Sequence, residues 1–258
     1  MRLRRIGVPA DVAGRRLLAD RDGWVVNCLF YLIVSGVLSA LWRAAAGDGD
    51  IAGYSAAALT WYIVTAEAAT CALSIRFIEE VGDEIGSGAV AVEMLRPVPV
   101  IVVRLVAEVG RGVARLATLL GPGVALAWLV VGPPPSAAGA VLAVPALVLA
   151  LAANLCLQQA MAAAAFWLRD TRAMWFLYQK LVFILGGMLL PLEVLPDVLR
   201  DVAMVLPFMT MAYVPARLAA GHVEPVLLLV QVGWLVVLAG AAALAFGRGQ
   251  QRLQVVGG

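Results

Sequence analysis

Between Trp24 and Trp42 the chain runs for nineteen residues without a single Asp, Glu, Lys or Arg. Apolar stretches of comparable length recur to the end of the sequence. About 20 helical residues cross the roughly 30 Å hydrocarbon core of a bilayer, and a backbone in lipid must satisfy its own hydrogen bonds. Runs of this kind therefore impose an all-α polytopic membrane protein. Composition agrees: 63% of the 258 residues are hydrophobic and 14% are charged, whereas soluble domains lie near 45–50% and about 25%. The apolar character is spread over the whole chain, so the membrane region is the protein and not an anchor. Basic residues are Arg in every case but Lys180 and Ala is abundant, which points to a GC-rich bacterial genome.

Six spans can be laid along this pattern. The first is Trp24 to Trp42, with tryptophans as interface anchors, and the second is Ile51 to Ile75, after the turn Gly47-Asp48-Gly49-Asp50. A long helical region follows from Val98 to Val131, with Arg104, Glu108, Arg111 and Arg115 on one face and an expected bend at Gly121-Pro122-Gly123. At 1.5 Å per residue it would measure about 50 Å, so its first turns should protrude from the bilayer. The fourth span covers Ala140 to Phe166, the fifth Met174 to Leu190 and the sixth Val226 to Phe246, with a basic tail from Gly247. Residues 191–225, broken by Pro196, Pro207 and Pro215, read as a partly re-entrant hairpin that protein must cover. Residues 1–23 lack the uninterrupted apolar core of a cleavable signal; they fit an interfacial helix or a basic tail that sets topology.

With both termini inside, sixteen of the nineteen basic residues fall on the inner side and only Arg43, Arg200 and Arg217 on the outer. That bias sets the expected orientation in a bacterial cytoplasmic membrane. It also brings two polar loops to the inner face together. One is Arg76 to Pro97, in which Phe77, Val81 and Ile85 recur every four residues on one helical face. Glu79, Glu80, Asp83 and Glu84 fall mainly on the others, and Gly86-Ser87-Gly88 stops the helix. The pattern suits a lever lying against the membrane; it suits a solvated loop helix with no partner equally well. The second loop is Arg169-Asp170-Thr171-Arg172.

The sequence carries no recognisable catalytic constellation. Its one histidine, His222, rules out His-cluster metal and bis-His haem sites and reads as a surface residue. GxSxG is absent, and so is GxxxxGK[ST], so no P-loop is present and ATP would have to be bound by another subunit. Cys28, Cys71 and Cys156 lie in apolar spans without metal-ligand spacing and read as core residues. Inside the spans, Glu67 is a costly carboxylate that faces a cavity or a partner, or packs as a neutral or Arg-paired group. Asn154 and Gln158 share a face of the fourth span, for interhelical hydrogen bonding or a pathway. Lys180 can snorkel to the headgroups. Met188, with Gly186-Gly187, offers either a pliable ligand surface or helix packing.

Taken in order, these features resemble the membrane subunits of ABC transporters of the ABC-2 type, in a small six-span bacterial branch. The acidic stretch from Glu79-Glu80 to Gly88 is followed by Met94-Leu95-Arg96-Pro97. The exit from the fifth span, Gly186-Gly187-Met188-Leu189-Leu190-Pro191-Leu192-Glu193-Val194-Leu195-Pro196, resembles the family's spaced prolines. Leu206-Pro207-Phe208 and Pro215 to Gly221 continue it. The resemblance covers nearly the whole chain, by order and spacing more than by any single motif. It implies a non-catalytic permease subunit with an N-terminal connecting helix, a coupling segment at 76–97 and outer re-entrant helices at 191–225. Phe77, Glu79, Glu80, Val81, Asp83, Glu84 and Ile85, with Arg169, Asp170 and Arg172, would contact a separate ATPase subunit. Two such permeases, alike or homologous, would pair around a path near Glu67, Asn154, Gln158 and Met188. Export of drugs or lipid-like amphiphiles is among the cargoes this implies. Rival readings are a secondary transporter or channel with Glu67 as coupling acid, and a non-transporting membrane scaffold.

Overall fold

The computed structural model describes residues 21–47, 49–74, 77–89, 100–168 and 171–256. The expected N-terminal interfacial helix, Arg76, the Leu95-Arg96-Pro97 exit, Arg169 and Asp170 lie outside the described residues. Helix α1, Arg21–Ala46, carries the first apolar run and closes at Gly47, whose φ of 55° an L side chain would resist. A tight turn pairs Ile51 with Tyr54 and delivers the chain to Ser55, whose hydroxyl caps α2, Ala56–Cys71, by accepting from the Ala58 amide. Residues 58–69 of α2 are all buried, which makes it the central helix. The Thr60, Thr65 and Thr70 hydroxyls donate to carbonyls one turn back, so they cost the buried helix little. Helix α3 is Phe77–Gly86 and α4 is Val100–Val131. Helix α5, Ala137–Ala162, is capped by Ser136 and tightens into a 3-10 turn at Ala163–Phe166. Helix α6 is Arg172–Leu185, α7 Asp197–Val205, α8 Tyr213–Ala219 and α9 Val226–Val256. Among the described residues all regular elements are helical.

Four of these helices, α1, α4, α5 and α9, are long and apolar enough to cross a membrane. Helices α2 and α6 are shorter than the expected second and fifth spans, at 16 and 14 residues or about 24 and 21 Å. The first loses its start to the Ile51–Tyr54 turn; the second stops where Gly187 adopts φ 69°. At the C-terminus the difference runs the other way. The expected tail from Gly247 is helical as far as Val256, because Gly249 lies against the Phe166 ring and leaves no room for a side chain. The Gly121-Pro122-Gly123 element leaves α4 continuous. Its glycines serve an approach: a Cβ on Gly123 would overlap the Tyr31 hydroxyl of α1.

Residues 186–225 fold into short pieces. Helix α8 is buried against α2 and α5, with Gly139 of α5 pressed to the Leu218 carbonyl. Buried irregular backbone needs partners, and side chains supply them. The Trp42 indole and the Tyr62 hydroxyl donate to the Leu189 and Gly187 carbonyls, and the Gln231 amide to those of Thr210 and Ala146. The connections thus sort into two ends. Residues 49–55, 132–136 and 186–225 meet at one, through Tyr54 against His222 and Gly221 against Pro135. Helix α3, residues 163–168, Thr171 and the end of α9 meet at the other, the arginine-rich end.

Candidate functional site

At the arginine-rich end, α3 is held by the period that the sequence displays. Phe77, Ile78, Val81 and Ile85 are all buried, packed on α5, the 163–166 turn and α6. Gly82 completes this face. A side chain there would run into the Thr171 side chain, so glycine sets how closely α3 seats on the second loop. The opposite face is left to solvent: Glu80, Asp83 and Glu84 are exposed and Glu79 half-buried. One of these charges is already engaged, because Arg104 of α4 pairs with Glu84. Farther along α4, Arg111 pairs with Glu108.

The ten expected contact residues therefore divide. Phe77, Val81 and Ile85 anchor α3 to its own bundle, whereas Glu80 and Asp83 are exposed, Glu79 is half-buried and Glu84 braces α3 to α4. Of the second loop, Thr171 is buried beneath Gly82 and Arg172 opens α6. Gly82 and Thr171 were missed as site residues. Their signal was weak: a glycine within an otherwise periodic helix, where it costs about 1 kcal/mol relative to Ala.

The four residues expected near a path have different immediate partners. Glu67 is 2% exposed, its Oε1 has no hydrogen-bond partner among the described residues, and its electrostatic neighbours are Tyr31 and Cys71. Asn154 and Gln158 instead join α6: the Tyr178 hydroxyl and the Gln158 amide both donate to Asn154 Oδ1, and the same amide reaches Tyr178 Oη at 3.0 Å. That is the interhelical hydrogen bonding which two amides on one face allow. Met188 is half-buried against the core.

The opposite end holds a network that sequence reasoning passed over. Glu193 Oε1 accepts from Tyr213 at 2.6 Å, Tyr54 at 3.2 Å and Arg217, while Arg217 also reaches Glu224 at 2.6 Å. The side chains of Glu193 and Arg217 are only 22% and 16% exposed, so their attraction is weakly screened. Burial pushes the Tyr54 hydroxyl up to about 12, which keeps it a donor. His222 packs on the Tyr54 ring at 4.3 Å, and burial, followed by Arg217, lowers its pKa below the usual 6.5. Tyr54 and Glu193 lie 139 positions apart, and the Pro-rich folding of 186–225 brings them together.

Among the described residues no group of three His, Cys, Asp or Glu side chains is arranged to hold a metal ion. No curated protein matches the chain. A family model described as ABC-2 family transporter protein matches residues 38–257.

Proposed function

The chain belongs to the ABC-2 transporter family, and from that premise we propose that it is the permease subunit of an ATP-driven exporter in a bacterial cytoplasmic membrane. On this reading α2 and α6 complete six crossings with the four long helices, short though they are, and 186–225 re-enters from the outer side. Both termini are cytoplasmic, and two permease copies pair around the path. ATP is bound and hydrolysed by a separate subunit. The observation that carries the reading is the seating of α3. A ten-residue helix buries its apolar side on the bundle and leaves Glu80 and Asp83 exposed and Glu79 half-exposed, beside Thr171 of the second loop, at the arginine-rich end. A push on that acidic face would be transmitted through Gly82–Thr171 to α6 and through Glu84–Arg104 to α4. Two packed arrangements of these contacts would make a population switch biased by nucleotide. The cargo is a small amphiphile or drug on this reading, since the described spans hold few charges.

The test is affinity purification from the native cell in mild detergent, with identification of co-purifying chains. Wild type should bring a stoichiometric P-loop subunit; Glu79→Lys, Glu80→Lys and Asp83→Lys together should lose it while unfolding at the wild-type temperature. Glu84 is left unchanged because its loss would also break the Arg104 pair. Undiminished co-purification of the triple variant refutes the docking face. A protein recovered alone would favour secondary transport, with Glu67, buried and with Oε1 lacking a hydrogen-bond partner among the described residues, as the residue to replace.

A further inference from the structure

Helix α6 has an outward face unlike those of the other apolar helices. Phe176, Leu177, Phe183 and Ile184 are exposed on it, and so are Gln179 and Lys180 between them. A cation at hydrocarbon depth costs about 2.5–3.5 kcal/mol on insertion scales, so it is retained where something offsets it. Within the chain the offset is slight: the Lys180 ammonium lies over the Phe176 ring, 5.2 Å from its centroid, and makes no ion pair among the described residues. Phe176 is one turn nearer the arginine-rich end, so the lysine stem is laid back in that direction. Lys180 itself stands about 12 Å along α6 from Arg172.

In the other direction the same face is apolar. Lys180, Phe183 and Ile184 follow the i, i+3, i+4 spacing of one helical stripe. Past Lys180 that stripe opens on a cavity of about 140 Å³, lined by Phe183, Ile184, Gly187, Leu189, Leu190 and Leu195. It exists because α6 stops at Gly186: Gly187 turns the chain, and Leu189 to Leu195 fold back over the helix end. A lone cation tipped toward one end and an apolar cavity toward the other form a site with a head and a tail.

The geometry points to a binding site for one acidic phospholipid of the surrounding bilayer, its headgroup on Lys180 and an acyl chain in the cavity beyond. The polarity matches: an amphiphile whose head lies at the arginine-rich end has its chain running toward residues 183–195. Charge complementarity selects an acidic headgroup over a zwitterionic one, because Lys180 has no carboxylate of its own among the described residues.

Purified full-length protein is incubated in detergent with equal amounts of phosphatidylglycerol and phosphatidylcholine, and retained lipid is counted by native mass spectrometry. Wild type should retain phosphatidylglycerol in preference by about fivefold, the effect of one basic group at a headgroup. Lys180→Gln should abolish the preference and Lys180→Arg keep it. Ile184→Trp, which fills the cavity mouth, should lower retention of both lipids in protein that still unfolds cooperatively. An undiminished preference in Lys180→Gln overturns the site; so does undiminished retention in Ile184→Trp. A two-copy species that retains no lipid also overturns it, by giving the α6 face to a second chain. The assay involves no ATPase, so its outcome is independent of the transport reading.

Discussion

The two ends of the bundle are both charged and treat their charges in opposite ways. At the arginine-rich end α3 buries only apolar side chains and leaves Glu80 and Asp83 in solvent, with Glu84 held by a single arginine. At the other end Glu193 gathers Tyr54, Tyr213 and Arg217 around one oxygen, and Arg217 reaches on to Glu224. The first arrangement keeps charge available to a partner, since an exposed carboxylate contributes little to stability. The second spends its charge internally, joining the start of α2, the turn after α6, α8 and the approach to α9. Exposed and internally paired charge are thus separated by position, although both ends use a glutamate–arginine pair.

The comparison can be broken most strongly at Glu193. Glu193→Ala leaves Arg217 half-paired and two tyrosine hydroxyls without their acceptor, and should destabilise the protein by about 2–4 kcal/mol in denaturant unfolding. Glu193→Gln keeps an acceptor oxygen and should cost roughly half as much. A loss below 0.5 kcal/mol on Glu193→Ala, roughly the size expected of a surface substitution, would mean that this end is no tighter than the other. At the arginine-rich end the stabilising contact is apolar. Gly82→Val should overpack against Thr171 at a cost of about 1–3 kcal/mol, and Thr171→Ala in the same background should restore part of it. No restoration would separate the glycine from the contact assigned to it.

The smallest effect sharpens the comparison through pH. His222 has its pKa lowered in the folded protein by burial and then by Arg217. Below pH 6.5 the unfolded chain therefore binds more protons than the folded one. The contribution of His222 is present above that value and is lost as pH falls through the depressed pKa. Lowering pH from 7 should reduce Tm, and His222→Asn should flatten part of that slope. An identical slope in the variant would show that the ring against Tyr54 is not the group being titrated.

Much of the site was legible because helical period is local. Phe77, Val81 and Ile85 announce a buried face from spacing alone, and their burial follows. What they pack against was not legible: the apolar face of α3 is seated on α5, the 163–166 turn and α6. Asn154 and Gln158 were visible as a polar face, but Tyr178, the donor that joins them across helices, looks like any aromatic residue in an apolar run. The Glu193 network left no trace in local pattern, since its members come from segments with no shared period.

By itself the sequence determined the class of fold: long uncharged runs admit only membrane helices, and the placement of glycine and proline marks where those helices can stop. It determined the family as well, through the order of its segments. The tertiary structure decided lengths and partners. Helix α9 runs to Val256 because Phe166 receives Gly249, α6 ends early because the chain turns at Gly187, and Glu84 is braced because Arg104 lies within reach. The physical reason is range. Periodicity and hydropathy act over a turn or a span, whereas close packing and paired charges depend on residues brought together from distant parts of the chain.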